Sequence, residues 1–401
     1  MSTQPRLHSL DNLRATMMWL GVVLHVATVH QVSQSSSFWR DPQTSLVGDA
    51  LIALIHLFRM PVFFIVSGFF AALLVERRGP GGMLAHRALR VGLPFVVFLP
   101  ILLAVTVVLA TMHAQPIGSV PKLGFDPHVL PEMRGGVRWQ TLHLWFLHLL
   151  MGFALATAIL CALAAHVPES LHQRAKRALG RLAGSGVAFL VLALPLGIMG
   201  RHYPQGVLLA SGDLLPPTAE WLHYGLFFAF GFVLYLCRDR LLPVYERRVW
   251  INVWAGVGGI LLVLAIDQFA QRDAGIRVDS RIWVGLGYNA CSWLWSLALI
   301  GGFVRYMRKQ NRLLQYMAES SYWVYLVHLP LIGAVGLLLR EWHFAAEWKM
   351  LLNIGITTLL SVASYHWLVR HKPIGTFLNG PRTGIEAAAA RPVAVGPRLD
   401  A

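Results

Sequence analysis

Residues 51–75 read LIALIHLFRMPVFFIVSGFFAALLV, 25 positions of which only His56 and Arg59 can carry charge. A helix rises about 1.5 Å per residue, so a run of this length crosses the roughly 30 Å hydrocarbon layer of a bilayer. Nine further stretches share its character: 13–32, 91–112, 142–165, 186–200, 221–237, 249–266, 282–304, 321–339 and 350–369. The expected architecture is therefore all-α, a polytopic integral membrane protein with about ten transmembrane helices. The stretch 186–200 is short and contains Pro195, and with 221–237 it is the weakest of the ten.

Composition agrees. Hydrophobic residues make up 56% of the chain and charged residues 13%, about half the charged share of an average soluble protein. The net charge of +15 does not point to nucleic acid, because Lys and Arg stand in short clusters between apolar runs rather than on one basic face. Those clusters set an orientation. The connections 76–90, 166–185, 238–248 and 305–312 hold four Lys or Arg each within 54 residues in all, against ten in about 90 residues on the other side. The dense set belongs in the cytoplasm, which places both termini there and makes the chain a multi-pass protein of a bacterial inner membrane. MSTQPRLHSLDNLR lacks a cleavage site after a short apolar stretch, so the first span reads as retained. The outer connection 113–141 is long and rich in Pro and Gly, suited to covering a site on that face. PRTGIEAAAARPVAVGPRLDA, residues 381–401, reads as a disordered cytoplasmic tail.

Ionisable residues inside a membrane are costly and face a bundle interior, a cavity or one another. Arg14 stands eleven positions before His25, a rise of about 16 Å, so Arg14 falls at the cytoplasmic interface and His25 beyond the midplane. Taken alone, Arg14 also reads as a snorkelling anchor, and His25 has a lesser alternative as a core histidine bonded to a carbonyl. Imidazole also exchanges protons near neutral pH, which activation of a hydroxyl requires. The second span adds His56, Arg59 and Pro61, then Ser67-Gly68-Phe69, whose small pair also suits close helix packing. Arg87 and Arg90, at i and i+3, suit a phosphate-bearing ligand, although taken alone they read first as ordinary positive-inside charge.

HLWFLHLL supplies His143, Trp145 and His148, with Trp145 read as a membrane-interface aromatic. AESSYWVYLVHLPL supplies Glu319, Ser320, Tyr322 and His328, the last well inside its span, while His366 lies near a helix end. Cys161, Cys237 and Cys291 have no paired spacing, and no HExxH or Cys/His cluster occurs, so neither a disulfide framework nor a metal site is expected.

In order, spacing and membrane placement these blocks resemble the membrane-bound acyltransferase family 3, from residue 10 to about 375. The resemblance rests on Arg14 and His25, FRMPVFFIVSGFF, the Arg87 and Arg90 pair, and SSYWVYLVHLPL. Within the family, LDNLRATMMWLGVVLHV, HLFRMPVFFIVSGFFAALL, RALRVGLP and LHLWFL look most like the branch that adds succinyl groups to osmoregulated periplasmic glucans. The resemblance implies one transmembrane domain over residues 1–380 and no bound cofactor. Acyl-CoA, as succinyl-CoA or acetyl-CoA, is the implied donor, held near Arg87 and Arg90. His25 is the implied centre of transfer to a glycan hydroxyl, with glycan biosynthesis proteins as partners; on the residues themselves, Arg14 is expected to join Arg87 and Arg90 on the donor phosphates, and Arg59 or His328 to stabilise the oxyanion or orient His25. Members of the family often carry an acidic residue after a Tyr near the end of the last span; here His366 follows Tyr365, so no role for that carboxylate carries over.

A transporter or flippase for a glycan or lipid-linked intermediate is the rival reading, since buried charges also line transport paths. Transport gives no reason for a paired arginine clamp joined to one deep histidine. The orientation is tested by fusing alkaline phosphatase after residue 80. The fusion is expected to be inactive, and periplasmic phosphatase activity would invert the topology and remove the donor assignment.

Overall fold

The computed structural model describes residues 8–33, 38–124, 126, 140–203, 206–272, 280–309 and 311–379. Among these it is all-helical, as expected. The elements are α1 (His8–Val29), α2 (Leu46–Arg87), α3 (Leu93–His113), α4 (Trp145–Ala164), α5 (Glu169–Gly184), α6 (Ala188–Gly200), α7 (Thr218–Leu236), α8 (Arg238–Arg247), α9 (Val249–Arg272), α10 (Ser280–Tyr306), α11 (Arg312–Leu339), α12 (Ala346–Ser364) and α13 (Pro373–Asn379). The tail 381–401 lies outside the described residues, as do 125 and 127–139 of the connection expected to cover the outer face.

Each of the ten expected stretches is helical, yet seven described helices are long and apolar enough to cross a membrane, or eight if the bent pair α5 and α6 counts as one. Three physical reasons account for the difference. The stretches 51–75 and 91–112 lie in one run, Leu46–His113, whose backbone leaves helical geometry only at Gly79 (φ 71°) and widens to a turn of π-helix at Ala88–Gly92, so the two helical segments count together among the seven. Gly79 takes a backbone conformation open to glycine at little cost, and Pro80 starts the next helical segment. α6 has only 13 residues, about 20 Å of helix, and turns 94° from the polar α5. α10 buries Asn289, Ser292 and Ser296 along its middle, which lowers its hydropathy.

In a bilayer apolar burial does not by itself drive helices together, so close packing and polar contacts must. α2 is the centre of the bundle, packed on α7, α1, α4 and α10. Its approach to α7 is set by two glycines: a Cβ on Gly68 would overlap the Phe228 carbonyl, and one on Gly231 the Ile65 carbonyl. The Ser67-Gly68 pair thus does the packing that its small size allows. Phe64, fully buried beside it, meets Phe146 at 5.0 Å, Phe153 at 5.7 Å and Tyr224 at 4.8 Å between ring centroids. Such ring pairs contribute about 0.5–1.5 kcal/mol each beyond their area.

One end of the bundle is closed by polar contacts. Lys349, in the first turn of α12 and fully buried, donates to both Asp41 oxygens (2.8 and 2.9 Å) and to Gln43 Oε1 (2.7 Å). Arg340, between α11 and α12, donates to the carbonyls of Met112, Gln115, Pro116 and Ser119. The α1–α2 and α3–α4 connections are thereby fastened to the same pair of helices.

Breaking a buried ion pair from one side leaves a charge uncompensated, at a cost of about 3–5 kcal/mol. Lys349→Met or Asp41→Asn alone is expected to destabilise by that amount, and the double variant by clearly less than their sum. Denaturant unfolding in mixed micelles measures it, and strictly additive losses would show that the pair does not act as a unit.

Candidate active site

Two cavities lie along the same four helices, α1, α2, α4 and α11. The larger, about 300 Å³, is lined by Leu24, His25 and Thr28 of α1, by His56, Arg59, Met60, Pro61 and Phe63 of α2, and by Tyr325 and Leu329 of α11. His143, Trp145 and Phe146 close one wall. Gln140, Ser211, His223, Tyr224, Tyr288 and Ser292 bring polar groups to the side facing the connections. The smaller, about 220 Å³, is lined by Arg14 and Met18 of α1, Ser67, Arg87 and Arg90, and by Ala318, Ser321 and Tyr322 of α11. Helical rise puts Arg14 about 16 Å from His25, so the cavities sit end to end.

In the larger cavity three histidines from three helical segments converge. Ring centroids are 5.2 Å apart for His25 and His328, 5.0 Å for His143 and His328, and 6.4 Å for His25 and His143. His328 and His143 are buried, whereas His25 is partly open to the cavity. Two tautomers follow from the backbone. His328 Nδ1 lies 2.7 Å from the Tyr325 carbonyl and 3.1 Å from that of Val324; carbonyls only accept, so Nδ1 carries the proton. His143 Nε2 donates to the same Tyr325 carbonyl at 3.0 Å, and Tyr325 Oη returns a bond of 2.6 Å to the His143 carbonyl. The remaining nitrogens, His328 Nε2 and His143 Nδ1, are buried acceptors without a partner among the described residues. The three rings do not form a metal-binding set among the described residues.

Arg59 faces this cluster. Its Nε donates to the Met17 carbonyl of α1 at 3.0 Å, and its guanidinium carbon stands 6.0 Å from the Phe63 ring centre. Gly21 makes room for it: a Cβ there would come within 2.6 Å of Arg59 Nη2 and 3.5 Å of His328 Nε2. Gly21 is one helical turn before His25, so Arg59, His328 and His25 converge on one face of α1.

The other candidates fall as follows. Arg14 lies 3.4 Å from Asp11 and 5.7 Å from the Phe70 ring centre, at the mouth of the smaller cavity. Arg87 donates to the Ser67 carbonyl at 3.1 Å, and Arg90 to the carbonyls of Thr376 and Phe377 at 2.8 and 2.7 Å. The two guanidinium groups share a cavity but point to different anchors, because the π-turn that contains Arg90 begins directly after Arg87. Trp145 is not an interface aromatic: it lines the larger cavity and meets Tyr224 at 5.1 Å, since its helix begins at the cavity wall and not at the bundle surface. His148 packs on Phe95 and Trp221 away from the cavities, Glu319 accepts from Gln315, and His366 is exposed. Sequence reading named His143 with its block but gave it no role, and it did not name Tyr325. Both sit in quoted blocks, and their mutual bonds link chain positions 182 residues apart.

The chain matches the model of the family described as "Acyltransferase domain" over residues 7–367. It is 25% identical, over 370 residues, to proteins of Escherichia coli strains ED1a and UTI89 that are each called "Glucans biosynthesis protein C". The alignment covers 88% of this chain and 90% of each relative. No solved structure matches.

The notch at Gly21 gives a test. In Gly21→Ala the new methyl clashes with the far end of Arg59, which can move, and touches His328 Nε2 at ordinary contact distance, so the bundle should fold with an unchanged or raised melting temperature. Acyl transfer is expected to fall by about tenfold or more, equivalent to about 1.4 kcal/mol in the barrier. Full activity in the folded variant would show that the position of Arg59 does not matter.

Proposed function

This chain belongs to the acyltransferase family, and on that premise we propose that it moves a succinyl or acetyl group from cytoplasmic acyl-CoA to a hydroxyl of a periplasmic glycan. The observation that carries the proposal is the end-to-end pair of cavities, one ringed by arginines and the other holding His25 and Arg59. The name of the Escherichia coli relatives supports a glucan as the acceptor. The charge clusters support an inner-membrane chain with both termini in the cytoplasm, so that the arginine cavity faces the donor pool.

In this reading Arg14, Arg87 and Arg90 hold the CoA phosphates, and the thioester extends along the bundle to His25. Glycan enters from the opposite end past Trp145 and Tyr224, whose faces suit the apolar side of a sugar ring, with Gln140 and Ser211 at hand for its hydroxyls. His25 takes the acceptor hydroxyl proton as the oxygen attacks the thioester carbon. Negative charge builds on the carbonyl oxygen, where Arg59 supplies N–H donors. The C–S bond then breaks, the ester remains on the glycan, and the protonated His25 returns its proton to the departing thiolate. His328 and His143, each oriented by the Tyr325 carbonyl, hold the imidazole cluster in place. A carrier role, with the acyl group resting on His25 between two transfers, uses the same geometry.

The experiment is acyl transfer by purified variants in lipid nanodiscs, with mass spectrometry of the glycan and donor affinity measured on the same samples. His25→Ala is expected to lower turnover by about 10²–10⁴-fold, the range for loss of general acid–base catalysis. Donor affinity should persist, because the phosphate end is about 16 Å away. His25→Gln keeps hydrogen bonding without proton exchange, so near-normal transfer by that variant would end the assignment.

A further inference from the structure

Phe63 and Phe146 are the two residues that border both cavities. On α2, Arg59 stands one turn to one side of Phe63 in the larger cavity, and Ser67 one turn to the other side in the smaller one. The two rings are in contact, with centroids 4.9 Å apart at 50°, and both side chains are buried. Phe146 is backed by Phe64 at 5.0 Å and faces Tyr325 at 6.4 Å, which limits how far it can swing. The boundary is thus a pair of rings rather than backbone, and it lies between the arginines and His25.

We propose that the Phe63–Phe146 pair selects the donor by the size of its acyl group. The inference rests on the acyl-CoA reading above. A donor anchored by its phosphates in the arginine cavity leads with its acyl end, so that end meets the ring pair first. A short acyl group needs a small parting of the rings to reach His25 and Arg59. A long one must thread its whole length between the rings before its thioester reaches His25, whereas the CoA arm that follows is the same for every donor. The pair therefore acts before the chemistry, on which donors arrive.

The test compares acetyl-, succinyl- and octanoyl-CoA as donors for the full-length protein in nanodiscs, read as kcat/KM for each. The unaltered chain is expected to prefer the two short donors. Removing part of a ring in Phe63→Leu or Phe146→Leu should raise octanoyl transfer relative to acetyl transfer by about tenfold or more, the discrimination that a few methylenes carry in an apolar pocket. Phe146→Trp should move the ratio the other way. The leucine variants keep most of the apolar volume, and melting temperature in the same nanodiscs confirms that they are folded. A gain with a larger substrate is not an outcome that loosened packing alone produces at a wild-type melting temperature. Folded leucine and tryptophan variants with the unaltered chain's donor ratio would overturn the size selection and leave acyl-CoA use standing. An unaltered chain inert with all three donors would overturn the acyl-CoA reading itself and the selection with it.

Discussion

A guanidinium in the interior of a membrane bundle needs partners from the protein, because the hydrocarbon offers none. Arg59 is buried, and its Nε finds the Met17 carbonyl 3.0 Å away on α1. That bond requires α1 and α2 to lie close at this depth, and the absent side chain of Gly21 makes the approach possible. Most of the candidate site follows from the pairing. It brings His25, one turn beyond Gly21, to the side of α2 where the cavity opens. It also places His328, on α11, within reach of the same notch. On the far side of α2 the Gly68 and Gly231 contacts press α7 inward and bring Tyr224 to the cavity wall.

The membrane class and the helices were legible in the sequence, because a hydrophobic run of sufficient length has few alternatives. How the helices are divided was less legible. Hydropathy marks where apolar residues stop, but not whether the backbone leaves helical geometry there. The chain leaves helical geometry at Gly79 alone and resumes at Pro80, so the two expected spans are parted by a single residue within Leu46–His113. In α6 the apolar content was read correctly and the length was not enough.

Site legibility divides the same way. His25, Arg59 and His328 stood out because each is expensive where it lies, and cost in the bilayer is a property of sequence position. His143 is buried too, but it precedes α4 and looked like part of a helix end. Only folding shows that it shares a carbonyl acceptor with His328. Trp145 was misread for a related reason: an aromatic at a span terminus looks the same whether it faces lipid or a cavity. The arginine pair was legible as charge, but its i, i+3 spacing overstated the alignment of the two groups, since the backbone changes pitch between them.

The clasp between Arg90 and α13 reaches further than its two hydrogen bonds. Thr376 and Phe377 supply the carbonyls, and Leu378 beside them is buried and forms part of the wall of the arginine cavity. Material from the last tenth of the chain thus completes a chamber otherwise built from helices formed much earlier in synthesis. During translation the twelve helices that precede α13 can all have been made while this chamber still lacks a side. The arginine cavity is therefore finished only when residues 373–379 have left the ribosome, and the docking of one seven-residue helix marks that moment.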